Sequence, residues 1–131
     1  MLQKATTRHK VRPRSPRISI YRLHPETLAS GAHRLSGLVL ILFLPFYVWL
    51  LQDLTRGPES FEQSLDILRS VWGRLSLWMV GVALIYHLCN GIRFLCLDIG
   101  WGDSRRMMRL SSQVMLAIAV LSTLTLGIVL W

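Results

Sequence analysis

Three long hydrophobic stretches dominate the chain, and polar segments separate them. They run from about residue 27 to 51, from about 74 to 98, and from about 109 to 131. Each is long enough to cross the hydrocarbon core of a bilayer as an α-helix, which takes about 20 residues. The pattern therefore predicts an all-α integral membrane protein with three transmembrane helices.

The first span has to include polar residues. Its apolar centre, Leu38–Leu51, is too short to cross a bilayer alone, so the helix must extend back to His33 and Arg34. After this span, Gly57-Pro58 is a turn signal. Residues 60–72 are then predicted to form a short surface helix.

Composition agrees with a membrane protein. Of the 131 residues, 52% are hydrophobic and 17% are charged, whereas a soluble domain has about 25% charged residues. The length suits a single domain, 1–131. A net charge of +8 is typical of nucleic-acid binding, but these basic residues lie beside the hydrophobic spans. They therefore indicate membrane orientation, and no nucleic-acid partner is expected.

The positions of the basic residues predict the topology. Residues 1–26 are strongly basic, and the connection after the second span carries Arg105, Arg106 and Arg109. We expect both segments to face the cytoplasm and the loop around Glu59 to face the opposite side. The N-terminal segment lacks the features of a cleaved signal or transit peptide, which favours a bacterial inner membrane over a mitochondrial one.

Ionisable residues inside membrane spans are costly and by default point to function. In the first span, Ser30, His33, Arg34 and Gly37 follow at the spacing of one helical face. Arg34 offers planar, paired donors to a carbonyl, carboxylate or phosphate group. The alternative is that Arg34 only extends to the membrane surface and neutralises lipid headgroups.

A second polar face is predicted in the second span. Its members are His87, Asn90, Gly91, Phe94 and Asp98. A histidine at this depth needs a hydrogen-bond partner or a metal, and haem iron commonly takes histidine as an axial ligand. Gly91 would let a flat macrocycle or another helix approach closely. One histidine cannot supply both axial ligands, so a second ligand would come from a partner chain.

Two further groups in this span have a structural and a functional interpretation. Arg93 would lie about 9 Å farther along the helix than His87. It could meet a haem propionate there or simply extend to the membrane surface. Cys89 and Cys96 match neither a zinc nor a redox motif, and we interpret them as small buried hydrophobic residues.

Three segments resemble the cytochrome b membrane-anchor subunit of succinate dehydrogenase, respiratory complex II. Arg12–Tyr21 is similar to the family's RP-x-SPH-x-x-IY motif, Ser30–Gly37 to S-I-x-H-R-x-[ST]-G, and His87–Asp98 to H-x-x-x-G-x-R-H-L-x-x-D. The order and spacing of these motifs agree over nearly the whole chain. The sequence departs from them at Arg17 and Phe94, where the family usually has histidine, and at Gly31, where it has an apolar residue.

The resemblance implies roles for individual residues. His87 matches the axial ligand of b-type haem, and Ser30 and Arg34 match residues at the ubiquinone pocket. His33 and Arg34 match groups near the haem propionates, where Arg93 is a further candidate. The expected cofactors are thus haem b, shared with a partner subunit, and ubiquinone as substrate.

The resemblance also implies partners and a reaction. A second hydrophobic anchor would complete the helix bundle, and an iron–sulfur subunit and a flavoprotein would bind on the cytoplasmic side. The chain would pass electrons from the iron–sulfur subunit to quinone without oxidising succinate alone. Two alternatives stay open at this point, namely a haem-free anchor of the same family and a non-redox membrane adaptor or transporter subunit.

Overall fold

The computed structural model contains four helices in its described part. In chain order they are α1 (Pro25–Asp53), α2 (Pro58–Arg69), α3 (Val71–Asp98) and α4 (Arg105–Leu130). The structure describes Arg17 and residues 24–131. The rest of the N-terminal segment, including most of the Arg12–Tyr21 motif, lies outside the described residues. Among the described residues there is no strand, which confirms the all-α prediction for this part.

Three of the helices, α1, α3 and α4, are long and apolar enough to cross a membrane. The structure thus contains three helices with the length and composition that the prediction of three spans requires. The shortest, α4, has 26 residues, and at about 1.5 Å per residue a helix of that length exceeds the hydrocarbon thickness of about 30 Å. Pro45 lies inside α1, which continues through it to Asp53.

The short helix α2 begins at Pro58, the second residue of the predicted turn and two residues before the predicted start, and Gly57 before it has a φ of 150°. It ends at Arg69, although the sequence predicted a helix to residue 72. Ser70 accounts for the difference because it caps the next helix. Its Oγ accepts a hydrogen bond from the Gly73 N–H at 3.0 Å, and an N-cap residue has an extended backbone that interrupts the helix before it.

A tight turn joins α3 to α4. Gly100 and Gly102 have φ values of 84° and 78°, which L-residues with side chains rarely adopt. Ser104 then caps α4 by accepting a hydrogen bond from the Met107 N–H at 3.3 Å. This cap explains why α4 begins at Arg105, four residues before the start of the predicted span.

The interior of the bundle is more polar than its surface. The buried apolar residues of the described chain are Ala29, Leu50, Ala83 and Tyr86, whereas the buried polar or charged ones are Ser36, Ser64, Asn90, Arg93, Ser112 and Ser122. Large apolar side chains point outward, with Ile128 exposed by 81%. This distribution suits a protein surrounded by lipid or by another apolar subunit.

Hydrogen bonds join α1 to α3 near both ends of the contact. At one end, the backbone carbonyl of Ala29 accepts from Tyr86 Oη at 2.9 Å and from Asn90 Nδ2 at 3.3 Å. At the other end, the hydroxyls of Tyr47 and Ser76 lie 2.9 Å apart. These bonds fix the register in which the polar faces of α1 and α3 meet.

The remaining helices are attached in the same way. Trp78 Nε1 of α3 donates to the Thr123 carbonyl of α4 at 2.8 Å. Ser64, which is fully buried, donates from its hydroxyl to Asp53 Oδ2 at 3.1 Å and so ties α2 to the end of α1. The result is a three-helix bundle in which α2 packs against α1 and α3 near the end at which α1 finishes.

Candidate functional site

Two histidine rings meet between α1 and α3. The rings of His33 and His87 stack with their centroids 4.0 Å apart and their planes 9° from parallel. Phe94 packs edge-on against His33, with a centroid distance of 5.2 Å. The sequence predicted both histidines as site residues on separate helices, and the structure brings them together.

The hydrogen bonds around His87 assign its tautomer. Its Nδ1 lies 3.1 Å from Ser36 Oγ and 3.2 Å from the His33 carbonyl oxygen. The Ser36 hydroxyl already donates its hydrogen to that carbonyl at 2.7 Å. All three contacts are hydrogen bonds only when Nδ1 carries the proton and donates, and this tautomer leaves the lone pair on Nε2. Within the described residues, no hydrogen bond uses His87 Nε2.

The absence of a side chain at Gly37 leaves room for the His87 ring. A Cβ at Gly37 would lie 3.0 Å from His87 Cε1, closer than side chains normally approach. A Cβ at Gly91 would lie 3.6 Å from His33 Nε2, which is an ordinary contact. The sequence singled out Gly91 as the point of close approach, but the tight contact with the predicted haem ligand is at Gly37.

An open groove borders the two histidines. It has a volume of about 380 Å³ and is lined by His33, His87, Leu88, Gly91, Ile92, Phe94 and Leu95. His33 Nε2 is buried and has no hydrogen-bond partner among the described residues, and a buried polar atom normally has one. An apolar wall, a free imidazole lone pair and an unpaired ring nitrogen fit a flat apolar group that carries a metal ion, such as haem.

Ser30 and Arg34 lie in a different groove. Its volume is about 520 Å³, and its lining residues are Glu26, Thr27, Ser30, Gly31 and Arg34. The predicted face of α1, formed by Ser30, His33, Arg34 and Gly37, spans an arc of about 100° around the helix. His33 and Gly37 occupy one edge of this arc and face α3, while Ser30 and Arg34 occupy the other edge. The predicted face is thus divided between two grooves.

Arg93 lies in neither of these grooves. It is 8% exposed and reaches α4, donating to Ser111 Oγ at 2.9 Å, to Ser112 Oγ at 2.8 Å and to the Met108 carbonyl at 3.2 Å. All three acceptors are neutral. The contacts that the structure shows for Arg93 therefore join α3 to α4, and its contact with a haem propionate stays a prediction.

Sequence reasoning missed two residues that position the site. Ser36 is 7% exposed and holds the His87 ring through Nδ1. It follows His33 by three residues, so the helical spacing that selected His33 also places Ser36 on the same side. Tyr86, whose hydroxyl donates to the Ala29 carbonyl, was also missed. The sequence of an apolar span does not distinguish a tyrosine buried between helices from one at the membrane surface.

Comparison with known proteins adds an independent line of evidence. Residues 8–126 match the model of a family described as succinate dehydrogenase/fumarate reductase transmembrane subunit. A succinate dehydrogenase cytochrome b556 subunit from Coxiella burnetii is 30% identical over 92% of this chain and 97% of its own length. The protein of that name from Paracoccus denitrificans is 34% identical over 88% of this chain and 89% of its own length. A succinate dehydrogenase cytochrome b560 subunit from Reclinomonas americana is 32% identical over 90% of this chain and 85% of its own length.

We expect Gly37→Ala to displace the His87 ring, because the added methyl group would lie 3.0 Å from Cε1. The displacement should weaken the hydrogen bond from Nδ1 to Ser36. Nitrogen-15 NMR of the histidine-labelled protein reports this bond through the Nδ1 chemical shift. Gly31→Ala is the matched control, since nothing lies within 4 Å of a Cβ there. Equal histidine spectra for both variants would contradict the tight contact.

Proposed function

Because the chain belongs to the succinate dehydrogenase/fumarate reductase transmembrane subunit family, we propose that it is the membrane anchor of a succinate dehydrogenase. In this role it passes electrons from an iron–sulfur subunit to ubiquinone and binds b-type haem. The observation that carries the proposal is the pair of grooves around the family's motif residues, one beside His87 and one beside Arg34. The names of the relatives support the same enzyme.

His87 is the proposed axial ligand of the haem. Ser36 and the His33 carbonyl hold the proton on Nδ1, so Nε2 can present its lone pair to iron. When bound, the haem supplies a one-electron carrier within the membrane. His33 completes the wall of the groove, and its unpaired Nε2 can donate to a propionate or bind an ordered water molecule.

Ubiquinone is proposed to bind in the groove that contains Ser30 and Arg34. The guanidinium of Arg34 provides a fixed positive charge and planar donors. It would stabilise the negative charge that develops on a quinone oxygen during reduction, and the Ser30 hydroxyl would donate a hydrogen bond to a quinone oxygen. Arg34 is exposed and has no acidic partner among the described residues, so its donors are free for a ligand.

The grooves also support the proposed partners. Both are open, so a second hydrophobic anchor subunit would enclose the haem and would supply a further residue to hold it. The iron–sulfur subunit and the flavoprotein would bind at the end where α1 begins, which is the end nearest to Ser30 and Arg34. We propose that this end faces the cytoplasm of a bacterium, that the protein lies in the inner membrane, and that residues 1–131 form one anchor domain.

The first experiment tests the quinone site. Arg34→Ala and Ser30→Ala should lower succinate–quinone reductase activity, and Arg34→Ala should lower it by roughly a hundredfold or more because a donor to the developing charge is lost. Arg34→Lys keeps the charge but not the planar donors, so its activity should be intermediate. Succinate oxidation with a soluble artificial acceptor should be unchanged, because that reaction occurs in other subunits.

Ser122→Ala is the control for this experiment. Ser122 is buried, and its hydroxyl donates only to the Ala119 carbonyl of its own helix. Its loss should leave quinone reduction unchanged. Fully assembled Arg34→Ala and Ser30→Ala complexes that reduce quinone at the wild-type rate and apparent affinity would show that the polar groove is structural.

The second experiment tests the topology. A cysteine introduced at Glu59, next to the start of α2, should react with a membrane-impermeant thiol reagent only from the periplasmic side. A cysteine at Asp103, in the turn before α4, should react only from the cytoplasmic side, because the flanking arginines hold that turn there. Labelling in sealed vesicles of each orientation measures this, and the reverse pattern would refute the proposed orientation.

A further inference from the structure

A third groove lies between the first turns of α1 and α4, and the proposed redox chemistry does not use it. Its volume is about 840 Å³. The lining residues are His24, Glu26, Arg105, Arg106, Met108, Arg109, Leu110 and Gln113. It adjoins the proposed quinone groove only at Glu26, which lines both.

The groove carries an excess of positive charge. It contains three arginines and one carboxylate. Arg109 Nε lies 3.7 Å from Glu26 Oε1, so this pair is largely neutralised. No salt bridge within the described residues involves Arg105 or Arg106, and both side chains are exposed. Two cations are therefore free to bind an anion.

Apolar surface continues directly from these cations. Arg106, Leu110 and Val114 follow at four-residue spacing, which places them along one edge of α4. Leu110 is 51% exposed and Val114 is 47% exposed. The edge thus presents a positive charge at the level where the apolar span begins and a hydrocarbon surface below it.

We propose that this groove binds an anionic phospholipid. The headgroup phosphate would lie between Arg105 and Arg106, where each guanidinium can donate paired hydrogen bonds, and an acyl chain would follow Leu110 and Val114. Basic pockets between transmembrane helices are suited to acidic lipid headgroups. An acidic protein surface would satisfy the arginines but would leave the apolar edge of α4 without a counterpart, so a lipid fits the whole groove better.

The test measures lipid binding to the purified, delipidated complex. Fluorescent phosphatidylglycerol is titrated against the wild type and against Arg105→Gln/Arg106→Gln, with phosphatidylcholine as the neutral probe. Each arginine contributes roughly fivefold to the binding of an anionic headgroup, so the double variant should bind phosphatidylglycerol roughly 25-fold more weakly. Phosphatidylcholine binding should not change.

Matched variants separate a specific site from general charge effects. Arg69→Gln/Arg74→Gln removes the same charge at the opposite end of the bundle, and its phosphatidylglycerol affinity should stay within about twofold of wild type. Arg105→Lys/Arg106→Lys keeps the charge and should retain most of the binding. If the double glutamine variant fails to assemble, Arg106→Gln alone should still weaken binding by roughly fivefold.

Three results would overturn the proposal. One is equal loss of phosphatidylglycerol binding in the two double glutamine variants, which would indicate a general charge effect. Another is displacement of phosphatidylglycerol by millimolar inorganic phosphate, which would identify a site for the free anion. The third is wild-type lipid affinity in an Arg105→Gln/Arg106→Gln complex that loses its iron–sulfur subunit, which would make the groove a protein interface.

Discussion

The arrangement of the site depends on the polar contact between α1 and α3. Two donors, from Tyr86 and Asn90, converge on the Ala29 carbonyl in a region that water does not reach. A hydrogen bond of this kind contributes about 0.6–2 kcal/mol between membrane helices. Its position matters more than its strength, because it sets the register in which Ser36 and His33 of α1 meet His87 of α3. A different register would separate these groups.

The arginines of the bundle differ in their partners, and the functions proposed for them differ accordingly. Arg93 donates hydrogen bonds to neutral oxygens of α4. This buried cation is therefore satisfied within the chain, as burial requires. Arg34 is exposed in a groove and keeps its donors free. Arg105 and Arg106 are also free, but they lie at the start of α4 beside apolar surface. Arginine thus supports helix packing at one position, and quinone binding and lipid binding are proposed for it at others.

Much of the fold was predictable from hydrophobic stretches alone. Three spans follow from their length, and the turn before α2 follows from Gly57-Pro58. The helix ends were less accurate, because single serines such as Ser70 and Ser104 decide them through side-chain caps. The site was predictable as a set of residues but not as a geometry. Periodicity placed Ser30, His33, Arg34 and Gly37 on one face, yet it cannot tell which neighbour each edge of that face contacts.

Arg93 and Ser36 illustrate the same limit. The sequence shows that an arginine lies near the end of the second span, but only the packing of α3 against α4 shows that Ser111 and Ser112 satisfy it. Likewise, the tautomer of His87 depends on a hydroxyl and a carbonyl from another helix. The Arg93 contacts join residues 18 and 19 positions apart, and the His87 contacts join residues 51 and 54 positions apart, all of them beyond the reach of a local helical pattern.

The reduced-minus-oxidised visible spectrum of the purified complex decides whether His87 holds haem iron. The wild-type complex should show the sharp α-band of a b-type haem. His87→Ala should abolish or markedly shift this band, whereas His33→Ala should keep it, because the proposed role of His33 is to border the haem and not to bind the iron. An assembled His87→Ala complex with the wild-type spectrum and full haem content would contradict the proposed ligand.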